Sequence, residues 1–533
     1  MEERGSAGLS RRDFLIKVGK VGGGTAVFAA MSSLGLLGMP SKASALFEPP
    51  SGGDLSLTKR NGKKVVILGA GLAGMTAAYE LMKGGYDCVV LEAQSRPGGR
   101  NYTIRRGDSL TEAGGVKQVC RFDEGQYFNP GPARIPQHHI TMDYCKELGV
   151  ALEIFGNVNE AAYYYNENVG GLSGKKIVKR SAKADLRGYT HELLAKAINQ
   201  DVLDLPLSPM DKEKLVQYLK REGDLDPDLF YKGSSRRGYK DWPGGGMDPG
   251  VQDEPYDLQA IIQSGFGNNF SSEYSIDQQM LMFQPVGGMD AIGKAMAAKL
   301  GKVIQYSIEV KEIRQTGEGV RIVGKNTKTG EMVEETGDFC VCAIPLSVLK
   351  SIPADFSAPM AEAISKISYA ATGKIGFQFK RRFWEEDENI FSGMTQTNMD
   401  ITQIWYPSYG YLSEKGVVVG YYNFGDQAVK LGNMGLLERE HYALAEGAKV
   451  HSQYYKEFET SFSIAWHKVP YHLGGWASYT ADDRKTYYPK LNEPDGRIYL
   501  AGEHMSYLTG WMAGAFESAR LVVDQIHHRV MKQ

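Results

Sequence analysis

Cysteine is scarce in this chain, charge is balanced, and no long apolar run follows the N-terminal segment. Each shortage excludes something. Five cysteines in 533 residues, with no C-x-x-C pair among them, exclude a disulfide framework and a redox dithiol motif. Cys340 and Cys342 alternate with apolar residues in DFCVCAIP, as side chains on one face of a buried strand do, and read as small hydrophobes. Lys+Arg 61 against Asp+Glu 63 leaves a formal charge of -2, which gives no electrostatic ground for nucleic acid or an anionic membrane as the main partner. No H-x-x-x-H or H-E-x-x-H spacing occurs, so no metal is expected, and there is no P-loop or G-x-S-x-G. The rest is an ordinary globular composition, 42% hydrophobic, in a chain long enough for two or three domains.

The first residues carry an address. Arg11 and Arg12 in SRRDFL precede a glycine-diluted apolar run from about Val21 to Met39, and SKASA then supplies an A-x-A pattern at Ala43 and Ala45. The run is weakly apolar for a membrane span. Together these features resemble a cleaved twin-arginine export signal, so the mature protein is expected in the periplasm or outside the cell, with no membrane anchor.

Downstream, KKVVILGAGLAGMTAAYELMKGGYDCVVLEA reads as strand, glycine turn, helix, strand. Gly69-x-Gly71-x-x-Gly74 opens the helix: Gly69 for the tight turn, Gly71 for close approach of a pyrophosphate, Gly74 for helix–strand packing. Ala70 lies inside this turn. The helix N-terminus offers free N–H groups to phosphates. Glu92 comes about 20 residues on, where a carboxylate accepts from a ribose 2′-OH, with Ala93 beside it. A second alternating set runs from Val303 to Ile344 and reads as antiparallel strands leading back to the parallel sheet.

Just past Glu92, the chain resembles the flavin amine oxidases. Arg96-Pro97-Gly98-Gly99-Arg100 is similar to their R-x-G-G-R segment, in which Arg100 faces the pyrophosphate. YLAGEHMSYLTGWMAGAFESAR is similar to the closing motif of the monoamine oxidase and L-amino acid oxidase family. PVGGMDAIGKAM (285–296) and CAIPLSVLKSI (342–352) also match its pattern. The resemblance spans about Lys63 to Val530 and implies an FAD enzyme. It gives Val310 to the cofactor as well, Gly502 and Glu503 to its ribityl–pyrophosphate part, and Gly510, Trp511 and Met512 to the flavin.

Within the family, four places bear on the substrate. FNPGPARIPQHH (128–139) resembles the L-amino acid oxidases, which makes Arg134 the clamp for a substrate carboxylate and sets Ala133 and Arg134 near the cofactor. VGYYNFGDQA aligns Tyr422 with a second carboxylate ligand. TGKIGFQFKRRFW aligns Lys374 with the active-site lysine, which binds a water beside the flavin. Trp511 aligns with the aromatic residue facing the flavin, with Gly510 beside it. In GGWA, Trp476 stands where monoamine oxidases carry a flavin-linking cysteine, and Ala477 where they carry a second cage aromatic. The resemblance therefore implies non-covalent FAD, with space at Ala477 for a substrate bearing a carboxylate. Of the histidines, His504 is expected near the cofactor, and His138, His139 and His472 are read as ordinary.

The expected fold is α/β: a Rossmann-like FAD domain of the glutathione-reductase type, with an inserted mixed-sheet substrate domain and a helical domain. The expected boundaries are a signal over 1–45 and FAD-domain pieces over 46–115, 256–345 (with substrate-domain segments) and 466–533. Substrate-domain pieces are expected over 116–134 and 346–465, and a mainly helical domain over 135–255. The expected activity is oxidative deamination of L-amino acids, leaning to bulky apolar or aromatic ones, by O₂. A monoamine or polyamine oxidase and an amino acid 2-monooxygenase are the alternatives. Symmetric dimers being the commonest oligomers, a homodimer is the expectation.

Overall fold

The computed structural model describes residues 61–200, 202–203 and 207–532. The twin-arginine segment, the apolar run and the A-x-A pattern lie outside them.

VVIL becomes the central strand β1 (Lys64–Leu68), in which Val65 to Leu68 are fully buried, as a strand covered on both faces requires. Helix α1 (Leu72–Lys83) packs back on the sheet through Ala73, Ala77 and Ala78, whose short side chains let it lie close. Strand β2 (Asp87–Glu92) then pairs with β1 in parallel. Three distant segments complete the sheet, also in parallel. Ile304–Tyr306 lies outside β2, Phe339–Cys342 lies on the other side of β1, and Ile498–Leu500 closes that edge. The long helix Met512–Met531 packs against α1 and covers the same face. On the opposite face lies an antiparallel three-stranded sheet, Ile308–Gln315, Val320–Asn326 and Met332–Gly337. Cys340 and Cys342 both pack toward that second face, while Phe339 and Val341 pack toward α1.

A seven-stranded mixed sheet forms the second body. Its strand Thr372–Phe379, second from one edge, is buried at every position and lies between Gly416–Phe424 and Phe458–Ala465. The Arg439–Glu112 ion pair, both members buried, ties this sheet to the first part of the chain; Glu112 also accepts from the Ala465 amide at 2.7 Å.

The stretch 135–255, expected to be mainly helical, is divided. Its helices are Ile140–Leu148, Lys179–Asn199 and Pro209–Glu222. Tyr163–Tyr165 and Ile177–Val178 instead form the far edge of the seven-stranded sheet, and Leu152–Gly156 pairs with Leu281–Pro285. The Tyr163–Tyr165 run is too short for a clear period, and its burial against neighbouring strands decides it. Within the helical part, Asp185 accepts from Arg237 Nε (2.6 Å), the Tyr231 hydroxyl (2.7 Å) and the Tyr256 amide (2.8 Å), so a fully buried carboxylate gathers three segments. Among the described residues, no helix is long and apolar enough to cross a membrane.

Candidate active site

Where β1 meets α1 a cavity of about 440 Å³ opens and runs to Tyr422 and Trp511. The glycines at its head have distinct tasks. Gly69 has φ +98° and faces the Ala343 carbonyl at close range. A Cβ on Gly74 would meet the Gly69 carbonyl oxygen at 2.0 Å, so this residue sets the helix–strand distance. A Cβ on Gly71 would meet nothing within 4 Å; it would enter the cavity.

Two helices begin at this cavity, α1 after Gly71 and the Met512 helix after Trp511. Neither has a side-chain cap or an acidic residue in its first turn. Their first N–H groups are therefore free donors at positive dipole ends, which suits anionic oxygens.

Glu92 closes the nucleoside end. Its carboxylate accepts from the amides of Ala70 (2.6 Å) and Gln94 (2.8 Å), and burial raises its pKa against those bonds. Ala93 and Val310 line the same end, and the strand bulges between Val310 and Glu312. Arg100 donates to Glu503 Oε1 (3.0 Å) and to the Gly475 carbonyl (2.7 Å). Glu503 also accepts from the amides of Ala477 (3.2 Å) and Gly510 (3.3 Å), so one carboxylate fixes three strands of the cavity wall. Trp476 lies against the backbone of Gly510 and faces Phe424.

His504 lines this wall with both ring nitrogens buried and unpartnered among the described residues, and burial beside Arg100 pushes its pKa down to about 3. A neutral imidazole with no protein partner is what a polar cofactor atom would satisfy. His472, read as ordinary, also lines the cavity; its Nε2 lies 3.0 Å from Gln94 Nε2, and burial with Arg96 and Arg100 nearby keeps it neutral. The glycine cradle, the free helix ends and the orphaned imidazole fit a flavin dinucleotide.

Beyond Tyr422 and Trp511 lies a second group. Lys374 faces Tyr422 directly across the antiparallel strand pair. Its Nζ donates to the carbonyls of Gly131 (2.6 Å) and Asn129 (3.3 Å) and lies 4.4 Å from the Tyr422 ring centre. Burial first, then Arg134, hold its pKa well below the ordinary lysine value. Lys374 thus pins the Pro130–Pro132 loop, whose residues line the cavity.

Arg134 occupies the centre. Its guanidinium carbon lies 4.6 Å from the Trp405 ring centre and 5.7 Å from that of Trp511. Nη2 donates to the side-chain oxygen of Gln278 at 2.9 Å, Nε has no partner, and no carboxylate pairs with it among the described residues. Desolvation pushes its pKa down to about 10, so it remains a cation at neutral pH. The Tyr422 phenol, raised to about 12 by burial, makes no hydrogen bond within the described residues. Ala133, Phe155, Met282 and Trp405 form an apolar cluster around the pair, with Met394, Val419, Tyr422 and Trp511 packed against it.

Several expected site positions lie outside the cavity lining. Ala477 is not part of the cavity lining. It pairs with Tyr369 in a short strand, and its methyl packs in the core behind the parallel sheet, because strand side chains alternate and Trp476 takes the cavity side. Ala133 and Arg134 do not line that cavity either, and both lie at the Trp405 cluster next to the Pro130–Pro132 loop that does. Trp405 and Gln278 carry no sequence signal of their own. Gln278 is 144 residues from Arg134, and no spacing rule links them.

The profile of flavin-containing amine oxidoreductases matches residues 72–527. A Bacillus subtilis (strain 168) protein, YobN, named provisionally as an L-amino-acid oxidase, is 27% identical over 481 residues, covering 87% of this chain and 95% of that protein. The L-amino-acid oxidase of Gloydius blomhoffii is 27% identical over 480 residues, covering 86% and 88%. A putrescine oxidase structure with putrescine bound superposes with a TM-score of 0.59 at 18% identity, covering 87% of this chain and 98% of that one, a likeness of fold.

Proposed function

The chain belongs to the flavin-containing amine oxidoreductase family, and on that premise we propose that it is an L-amino acid oxidase with non-covalently held FAD. The observation that carries this reading is Arg134: a desolvated guanidinium between two indoles, hydrogen-bonded among the described residues only to a neutral amide. A buried cation without an anion is costly. An α-carboxylate offsets that cost with charge-assisted bonds, in the fork geometry that guanidinium matches. The free Tyr422 hydroxyl adds a further donor to the same carboxylate.

Gly71, the two helix ends, Glu92, Glu503 and His504 are the residues that would hold FAD, and Trp476, which stands in place of a linking cysteine, leaves it unattached. Bound flavin supplies the two-electron acceptor for the Cα–H bond, and O₂ takes the electrons on to give H₂O₂. Arg134 and Tyr422 fix the carboxylate and so set Cα in register with Trp511 and the cavity behind it, a positioning effect worth several kcal/mol. The α-amino group reacts as the free amine, its lone pair assisting loss of hydride from Cα, so no side-chain base is needed. Lys374 holds the cavity-wall loop through the Gly131 and Asn129 carbonyls, and its Nζ is the group that would hold a water beside the flavin. The product imine takes up water and yields a 2-oxo acid and ammonia. Phe155, Met282 and Trp405 favour bulky apolar or aromatic side chains.

Export fits the same reading. FAD is loaded in the cytoplasm, and a twin-arginine signal carries folded protein. All five cysteines are free, and four of them are buried, so folding does not wait on an oxidising compartment.

Product analysis with L-phenylalanine tests the proposal. Equal yields of 2-oxo acid, ammonia and peroxide are expected. An amide with CO₂ would instead mark a 2-monooxygenase, and turnover of amines alone an amine oxidase.

A further inference from the structure

The loop that carries Arg134 ends in two adjacent histidines, and a distant segment returns to meet them. Asp277 places Oδ1 2.9 Å from His139 Nε2 and 3.1 Å from His138 Nε2. The three ligand-type atoms lie within 4.8 Å of one another. Neither imidazole has another side-chain hydrogen-bond partner among the described residues. His139 is buried, its ring edge-on to Trp511 at 5.2 Å, whereas His138 is 40% exposed.

We propose that His138, His139 and Asp277 form a binding site for one divalent transition-metal ion of the zinc class, beside Trp511 and open to solvent on the His138 side. Tetrahedral zinc with bonds of about 2.0–2.1 Å spaces neighbouring nitrogen and oxygen ligands about 3.3 Å apart. Both N–O separations come within about 0.4 Å of that, and the two imidazole nitrogens, within 4.8 Å of each other, are brought to it by rotation of the partly exposed His138 ring. Three protein ligands leave a fourth position for water, the arrangement of an open rather than a closed zinc site. Two imidazoles with one carboxylate select zinc, cobalt, nickel or copper over magnesium and calcium, which prefer oxygen. Each imidazole then presents the Nε2 lone pair and carries its proton on Nδ1.

The ion would join two segments that already meet at the substrate side. The segment Ser275–Met280 carries Asp277 and also Gln278, which holds Arg134; its Gln279 side-chain oxygen lies 3.4 Å from the Gln137 amide. A metal bridge from Asp277 to His139 therefore tightens Gln278 against Arg134 and presses on Trp511. This site stands on the three ligands alone and does not depend on which substrate the enzyme takes.

Untagged holoenzyme, freed of metal by chelator and desalted, is titrated with Zn²⁺ by calorimetry and with Co²⁺ by absorption to the red of the flavin band. One equivalent should bind, with tryptophan emission changing in step. Affinity should fall at least tenfold in His138→Ala and in Asp277→Asn, with the flavin spectrum retained and excess Mg²⁺ without effect. Absence of saturable Zn²⁺ binding overturns the proposal, as does binding that both variants leave unchanged. Should Asp277→Asn fail to fold, His138→Ala decides alone, since that side chain is 40% exposed and its one ring contact among the described residues is with His139.

Discussion

Gly71 and Gly74 stand three residues apart on one turn, and changing each should break the protein in a different way. A Cβ on Gly74 lies 2.0 Å from the Gly69 carbonyl oxygen, and the next contacts, 3.2 Å each, are the Gly69 carbonyl carbon and Ile67. The oxygen belongs to backbone held by the parallel sheet, so α1 itself must move by more than an ångström to restore ordinary contact. Overpacking of this kind costs about 3 kcal/mol or more where neither side can yield. At about 2.1 cal/mol/K of unfolding entropy per residue, each kcal/mol lowers Tm by about 1 °C in a chain of this length. Gly74→Ala apoprotein should therefore melt about 3 °C low or more. Gly71→Val places its side chain in open cavity at φ -70°, without backbone strain. It should cost about 1 kcal/mol through the helix cap and yet abolish flavin retention, because its methyls occupy the space where the pyrophosphate must sit. The assay is differential scanning fluorimetry on flavin-stripped protein, with flavin occupancy after purification scored by absorbance. Stripping matters because bound flavin itself raises Tm. Gly71→Val protein that keeps its flavin would refute the cradle, and Gly74→Ala apoprotein as stable as wild type would refute the packing argument.

On the substrate side, Gln278→Glu puts a carboxylate on Arg134 in cis; KM for L-phenylalanine should rise at least tenfold with kcat changed much less, and Gln278→Ala should not reproduce this. Steady-state kinetics on both variants checks it. Lys374, held below its ordinary pKa, is less protonated folded than unfolded, so stability should rise with pH from this group between its folded value and about 10.5, by at most about 1.4 kcal/mol per pH unit. Lys374→Met should lose that rise, which denaturant melts at a series of pH values from neutral upward will show, and should lose most activity as the Pro130–Pro132 loop is freed. Trp405→Ala opens the apolar cluster and removes one face from Arg134, so kcat/KM for aromatic amino acids should fall more than for leucine.

Much of the dinucleotide half is legible in the sequence because its rules are local. VVIL, the glycine turn and Glu92 lie within one contiguous stretch, and each residue's task follows from backbone geometry. The substrate side depends on likeness: nothing in periodicity marks Arg134, and its meaning in the fold comes from Trp405, Trp511 and Gln278, brought from three distant segments. Asp277 is invisible for the same reason, since histidine spacing along the chain says nothing about a carboxylate on another loop. Ala477 falls outside the cavity because an aligned position does not carry its strand alternation with it; one residue along a strand is the opposite face. The tyrosine run 163–165 reads as part of a helical stretch because three residues show no period, and only its sheet neighbours decide it.

The carboxylate clamp meets its sharpest test in peroxide release from L-phenylalanine, D-phenylalanine and phenethylamine, by wild type and Arg134→Leu side by side. Removing one partner of a buried, hydrogen-bonded charge pair costs about 2–5 kcal/mol, or about 30- to 4,000-fold in kcat/KM. Wild type should oxidise the L-acid far faster than the other two, and Arg134→Leu should lose it by at least that lower factor, while any slow phenethylamine turnover does not fall. Oxidation of phenethylamine by wild type as fast as the L-acid, or an Arg134→Leu enzyme that keeps the L-acid, would contradict the clamp.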